Sequence, residues 1–118
     1  MASAYQSIGS VRVAKQVLST IVTHSALQIP GVIGMANTSP TVAMRNQWSR
    51  LLKHDIPPQG VGLTVKENTV SADLYLIVDA DVDIVSIGSA VQDEVASALE
   101  DMVGMQVQEV NIYIYDIA

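Results

Sequence analysis

The carboxylates of residues 79–83 form the arrangement in this sequence that comes nearest to a metal site. The stretch reads Asp-Ala-Asp-Val-Asp, and alternating carboxylates of this kind open a calcium-binding loop. The rest of that loop pattern is missing. Its sixth position requires glycine and its twelfth a bidentate glutamate, but Ile84 and Ala90 stand there. We therefore predict a strand end followed by a helix whose first turn is capped by Asp83.

The other side chains capable of chemistry are scattered. Neither His24 nor His54 has a second histidine or a carboxylate at the spacing of a metal site or a catalytic triad. The remaining candidates have the spacing of a helix surface: Ser86, Ser89, Ser97, Asp93–Glu94 and Glu100–Asp101. Cysteine is absent, which excludes a thiol nucleophile, a disulfide framework and Cys-ligated metal sites. The sequence predicts no catalytic residue, no metal site and no cofactor.

Composition indicates a single packed domain over residues 1–118. Hydrophobic residues make up 49% of the chain and charged residues 15%, which is typical of a globular protein with its own core. No segment has the pattern of a signal peptide or an apolar run long enough to span a membrane. We expect a cytoplasmic protein.

Charge is divided along the chain. Residues 1–66 hold all six basic residues and one acid, for a net charge of +5, whereas residues 67–118 hold eleven acids and no Lys or Arg. The halves can neutralise each other within one fold, or attract another copy head to tail. The acidic total of −6 argues against nucleic acid as a ligand.

Two segments have the apolar spacing of amphipathic helices. The first has a stripe at Ala14, Val17, Leu18, Ile21, Val22, Ser25 and Ile29, and Pro30–Gly31 ends it. The second has a stripe at Ile84, Ile87, Val91, Val95, Ala98, Leu99 and Met102. Gly104 suits the left-handed position just past the second helix.

Period-2 alternation predicts the strands. Residues Val61–Lys66 and Val70–Val78 read as an antiparallel hairpin, and Gln106–Tyr115 as a last strand. Short strands are predicted at Val11–Val13 and Val32–Met35. Burying one stripe per helix and one aliphatic face per strand favours an α/β two-layer sandwich, with both long helices on one face of a mixed sheet.

Three of the four tyrosines are predicted to share the other face of that sheet. Tyr75 and Ile77 alternate with inward residues of the hairpin, and Tyr113 and Tyr115 do so in the last strand. The same face would hold Thr64, Lys66, Asp73 and Asn111. We favour burial of this face against another copy or another protein over base stacking. Coverage by the chain's own middle helix is the alternative.

That middle helix is predicted at Val42–Lys53. Trp48 is flanked there by Arg45, Arg50 and Lys53, a combination suited to docking on a partner or a membrane surface. Packing of Trp48 into the domain is the simpler interpretation. The interaction residues predicted from the sequence are thus Tyr75, Ile77, Tyr113, Tyr115, Arg45, Trp48 and Arg50.

The order and spacing of several motifs resemble the alkaline shock protein family of Gram-positive bacteria. The motifs are Val11–Val13, Ile29–Gly34, Gly60–Val65, Val70–Val78, Ile84–Val95, Met102–Gly104 and Val107–Ile114. The resemblance spans nearly the whole chain, although these are packing and turn residues. It departs from the family at residues 37–59, which are longer and more hydrophobic than expected, and at Asp81–Val82, where the family commonly has a glycine.

This resemblance implies a non-catalytic, cytoplasmic protein of the cell-envelope stress response. Such a protein is expected to self-associate and to be held beneath the membrane by a membrane-anchored partner, without spanning the membrane itself. The alternative hypothesis is an accessory protein that binds a small molecule of a lipid or acyl pathway, with the middle helix as a lid over an aliphatic pocket.

Overall fold

The structure, a computed structural model, describes residues 12–36 and 57–118. Two helices, α1 (Lys15–Leu27) and α2 (Ile84–Ala98), and four strands, β1 (Val32–Met35), β2 (Val61–Lys66), β3 (Thr69–Val78) and β4 (Gln106–Ile117), make up these residues. A short 3₁₀ turn (Pro58–Gly60) precedes β2, and a π-helical turn (Leu99–Val103) follows α2.

The sheet is built around β3. Strand β4 pairs with it in parallel along its whole length, from Thr69↔Gln106 to Val78↔Ile117. Strands β1 and β2 are both antiparallel to β3. Since β4 fills one edge of β3, β1 and β2 must share the other edge, and the sheet is mixed.

The shared edge is one interrupted strand. The Ala36 N–H donates to the Tyr75 carbonyl at 2.9 Å, and Val61 pairs with the neighbouring Leu74. Strands β1 and β2 therefore lie end to end along β3. The chain leaves this edge after Ala36 and returns to it one position later.

One face of the sheet and both helices form a single apolar core. On β3 this face consists of Val70, Ala72, Leu74, Leu76 and Val78, each at most 1% exposed. Helix α1 contributes Leu18, Val22 and Ala26, and α2 contributes Ile87, Val91 and Val95, continued by Leu99. Helix α1 packs over β1 and β2, while α2 packs against α1 and β4.

Several local predictions are confirmed. The hairpin forms as expected, with Val65 opposite Val70. The Asp83 carboxylate accepts from the backbone N–H groups of Val85 and Ser86 and so caps α2. Gly104 has the left-handed conformation, with φ of 73°, although the π-helical turn separates it from α2.

Other local predictions were wrong. Residues Arg12 and Val13 form no strand in the described part of the chain, and Val11 lies outside it. Arg12 and Val13 lead directly into α1, whose first turn begins with bonds from Val17 and Leu18 to the Ala14 carbonyl. Val17 is 49% exposed, since the buried stripe of α1 instead includes Ala26. Ile84 and Met102 also lie at the surface rather than in the core. The predicted middle helix falls outside the described residues.

We expect Leu74→Ala to lower the free energy of unfolding by roughly 2–5 kcal/mol, because a fully buried leucine leaves a cavity. Leu27→Ala is the matched control, since Leu27 is 44% exposed and its truncation should cost less than about 1 kcal/mol. Chemical denaturation of both variants measures the difference. Equal losses would contradict the position of the core.

The end-to-end arrangement of β1 and β2 can be tested by deleting the residues between them. A chain lacking residues 37–60, with Ala36 joined directly to Val61, should keep a cooperative unfolding transition because these residues occupy consecutive pairing positions on β3. The control removes Ala36 as well, which slips the register by one residue and should destabilise the fold. Thermal melts followed by circular dichroism compare the two. Loss of cooperativity in the first variant would refute the continuity of this edge.

Candidate interaction surface

The sheet face opposite the helices carries the predicted tyrosines. Because alternate residues of a strand point to opposite faces, burial of Leu74 and Leu76 leaves Tyr75 and Ile77 on the other side. Tyr113 of β4 lies beside Tyr75 in the parallel register. We call this side the open face, since the described helices pack only on the opposite one. Its residues are Thr64, Lys66, Ser71, Asp73, Tyr75, Ile77, Asn111 and Tyr113.

Tyr75 and Tyr113 stack on each other at the centre of the open face. Their ring centroids are 4.6 Å apart and their planes differ by 13°. A stacked pair of this kind contributes about 0.5–1.5 kcal/mol beyond the area that it buries. Tyr113 remains 42% exposed, so the pair presents a fixed aromatic surface to a neighbouring molecule.

A hydrogen-bonded polar pair, Asp73 and Asn111, lies next to the tyrosine stack on strands β3 and β4. The Asn111 side-chain Nδ2 donates to the Asp73 carboxylate at 2.9 Å. This bond lies one register step along the open face from the tyrosine stack. The aromatic surface is therefore bordered by a hydrogen-bonded pair whose orientation is set by the same strands.

Tyr115 has a different setting from the other two tyrosines. The register of β4 shifts between Ile114, opposite Leu76, and Asp116, opposite Ile77. Tyr115 is thus the extra residue of a β-bulge, which re-aims side chains at the edge of a sheet. Its side chain is 36% exposed.

The Tyr75 hydroxyl has an altered acidity. Its pKa is raised above the ordinary value, first because burial disfavours the charged form, and then because Tyr113 and the Asp73 carboxylate lie nearby. Each of these causes opposes a negative charge on Tyr75. The Tyr75 hydroxyl therefore keeps its proton at physiological pH.

The acidic segment 79–83 is organised for local structure. The Asp79 carboxylate accepts from the Asp81 N–H at 3.2 Å, and the Ser86 hydroxyl donates to the capping Asp83 at 3.1 Å. Within residues 12–36 and 57–118, no three His, Asp or Glu side chains are grouped so that they could hold a metal ion. His24 lies within 3.3 Å of the Gln28 side chain.

The comparison with protein families gives a decisive match. A family model described as having a cell envelope-related function matches residues 3–118. The chain belongs to the alkaline shock protein 23 family. The resemblance found from the order of its motifs is thereby confirmed.

Among the described residues, the helices lack the length and hydrophobicity that a membrane crossing requires.

Relatives within this family come from Gram-positive bacteria. An uncharacterised protein of Streptococcus pyogenes serotype M6 is 29% identical over 92% of this chain and 88% of its own length. The uncharacterised protein YloU of Bacillus subtilis strain 168 is 23% identical over 90% of this chain and 86% of its own. Both relatives therefore have much the same extent as this chain.

Solved structures show a similar fold. A copper form of a variant of the MamM C-terminal domain has a TM-score of 0.51 at 11% identity, with 87% of this chain and 98% of that domain covered. Another MamM C-terminal domain scores 0.50 at 12% identity, with 86% and 96% covered. At this level of identity the likeness extends to the fold alone.

In this family member the divided charge becomes two flanks of the described fold. Lys15 and Lys66 lie on α1 and β2, and Arg12 lies just before α1. The acid on this side is Glu67, which follows Lys66 and lines a cavity with Arg12. The other side, formed by α2 and β4, carries the acids Asp93, Glu94, Glu109 and Asp116. Helix α1 packs over β2 and α2 over β4, so the described part of the molecule is electrically polar across its sheet.

The structure describes four of the seven interaction residues that were predicted from the sequence. Tyr75, Ile77 and Tyr113 share the open face as predicted, and Tyr115 stands at the bulge beside them. Arg45, Trp48 and Arg50 lie outside the described residues. The tyrosine stack and the bond between Asp73 and Asn111 are not predictable from the sequence, because the parallel register that pairs them leaves no signal in either strand alone.

We expect Tyr75 to ionise at a higher pH than an ordinary tyrosine, and Tyr113→Phe or Asp73→Asn to lower its pKa toward the usual value of about 10. Because the folded-state pKa exceeds the unfolded one, the stability linked to Tyr75 is complete below pH about 10 and is lost as the pH rises beyond it. Nuclear magnetic resonance of ring-labelled tyrosine follows this ionisation. Tyr115→Phe is the control, and an equal change in that variant would contradict the assigned causes.

Proposed function

We propose that this protein is a non-catalytic, self-associating interaction module that serves the cell envelope from the cytoplasmic side of the membrane. The stacked, partly exposed Tyr75–Tyr113 pair on the open face carries this proposal. Residues 1–118 act as one domain, with helices forming one layer and the sheet the other.

The physical chemistry of the open face supports this role. Tyrosine is enriched at protein interfaces because it buries a large apolar ring and still offers a hydroxyl for hydrogen bonds. The stack and the pair of Asp73 with Asn111 hold the side chains in place before binding. Little side-chain entropy is then lost when a second molecule covers them.

The charged flanks support self-association in particular. The flank of α1 and β2 is basic, and the flank of α2 and β4 is acidic. One copy can therefore attract the opposite flank of the next, in a contact that weakens as salt is added. The open face would provide the apolar part of the assembly, and the flanks its direction.

The link to the envelope completes the proposal. Membership of the alkaline shock protein 23 family brings a cell envelope-related function. We take this link to pass through a membrane-anchored partner protein, in keeping with the family resemblance. On this proposal the module assembles beneath the membrane and carries no catalytic step of its own.

Sedimentation velocity across a wide concentration range tests self-association. We expect species larger than a monomer, whose dissociation constant rises by about tenfold or more in Tyr113→Ser, as for an aromatic anchor at an interface. Tyr113→Phe keeps the ring and should remain within about twofold of the parent chain. Raising the salt from about 0.01 M to about 0.15 M should weaken assembly further.

A cross-linking pull-down from cells tests the link to the envelope. Recovery of a membrane protein with the parent chain is the expected result. A chain that stays monomeric at high concentration and low salt, and that recovers no membrane protein, would refute the proposal.

A further inference from the structure

Strand β4 has a free outer edge. Its inner edge pairs with β3 throughout, and no other strand in the described part of the chain pairs with it. It is also long, at 12 residues. Two backbone groups of the strand already have side-chain partners, the Val110 carbonyl with Gln92 and the Ile117 N–H with Asp116. The other N–H and C=O groups along such an edge are available for another chain to pair with.

An apolar groove runs beside this edge, between β4 and α2. It has a volume of about 300 Å³ and is lined by Ile84, Val85, Gly88, Ser89, Gln92, Ile112 and Ile114. Val85 is 81% exposed, the highest value among the exposed large apolar side chains of the described residues. The helix therefore presents an apolar side chain to solvent at the mouth of the groove.

Two residues of α2 shape the groove. A Cβ atom placed on Gly88 would lie 3.9 Å from the Ile112 side chain, so glycine keeps the floor open where a larger side chain would fill it. The Gln92 side-chain amide donates to the Val110 carbonyl of β4 at 3.0 Å. This bond ties the helix to the edge strand and occupies one backbone acceptor of β4.

The two sides of this edge differ in chemistry. On the helix side, a strand added to β4 would meet Val85, Ile112 and Ile114. On the open-face side it would run beside Tyr113 and the acids Glu109 and Asp116. Since side chains alternate along a strand, the best complement has apolar residues on one side and basic residues on the other, where cations also favour tyrosine rings.

We propose that the outer edge of β4 and its groove bind an extended segment of a different protein, in which apolar and basic residues alternate. The segment adds a fifth strand to the sheet, with its apolar side chains in the groove beside Gly88 and Val85. Backbone hydrogen bonds supply affinity and the alternating side chains supply specificity. The site lies apart from the Tyr75–Tyr113 stack but shares the acidic flank of α2 and β4 with the proposed self-association. Its test with a synthetic peptide does not require the protein to self-associate.

Charge disfavours the β4 edge of a second copy as the occupant. The β4 strand of another copy would bring Glu109 and Asp116 against the same two acids, and its α2 would add Asp93 and Glu94. Residues 67–118 contain no Lys or Arg to offset them. Like charges across an interface disfavour a partner, whereas a basic strand gains from the same acids.

A labelled synthetic peptide of alternating valine and lysine tests the proposal by fluorescence anisotropy with the full chain. We expect it to bind at least about tenfold more tightly than the same peptide with glutamate in place of lysine. Two further peptides carry N-methyl groups on alternate residues. In the first peptide the methyl groups block the N–H groups along one edge of the strand, and in the second they block those along the other edge. One should lose at least about tenfold in affinity and the other should bind normally, because only one edge pairs with β4.

Variants locate the site. Val85→Ser should weaken the lysine peptide by about tenfold through lost apolar contact, and Gly88→Leu should weaken it by filling the groove. Val17→Ser is the matched control, because Val17 is a half-exposed valine on the other helix. Circular dichroism verifies that each variant is folded.

Three results would overturn the proposal. They are equal affinity for the lysine and glutamate peptides, equal affinity for the two N-methylated peptides, and unchanged lysine-peptide binding in a folded Val85→Ser variant. A fourth would assign the edge to a second copy. In that case Gly88→Leu would reduce the sedimenting mass of the protein alone.

Discussion

The pairing of β3 with β4 is the interaction on which the rest of this structure depends. β3 has a neighbour along each edge, and its inward residues are almost completely buried. The parallel partner can be reached only by a crossover connection, and α2 supplies it. Helix α2 returns over the sheet and packs there against α1, so the apolar stripes of both helices close over the same face. The core, the open face and the free edge of β4 all follow from this arrangement.

The same pairing creates the aromatic surface. The period of a strand is two, so a shift of one residue would exchange the buried and open faces. Burial of Leu74 and Leu76 opposes any such shift in β3, and the bulges of β4 adjust its register at two places. Tyr113 is consequently held beside Tyr75, and Asn111 beside Asp73. The forces that bury the core thus also orient the side chains proposed to bind other molecules.

The sequence was informative where a signal is local. Alternation found the hairpin, helical spacing found α1 and α2, and the chemistry of Asp83 found the cap. It was uninformative where the signal depends on distant residues. Nothing in Val32–Met35 shows that β1 continues the line of β2, because both strands are defined by their contact with β3. The exposure of Val17 was missed for a related reason. Helical spacing predicts that α1 has an apolar stripe, but it does not predict which edge of that stripe faces the sheet and which edge faces solvent.

The acidic half of the chain resolves an apparent conflict in this fold. A long free strand edge beside an apolar groove normally invites a second copy to pair with it, and proteins often use charge to prevent this. Here Glu109 and Asp116 lie on β4 itself, and Asp93 and Glu94 lie on the helix above it. These carboxylates oppose pairing between two identical edges, yet they do not oppose a basic strand or the basic flank of another copy. One set of charges can therefore discourage one mode of association and select others, which gives the divided charge of the sequence a structural reason.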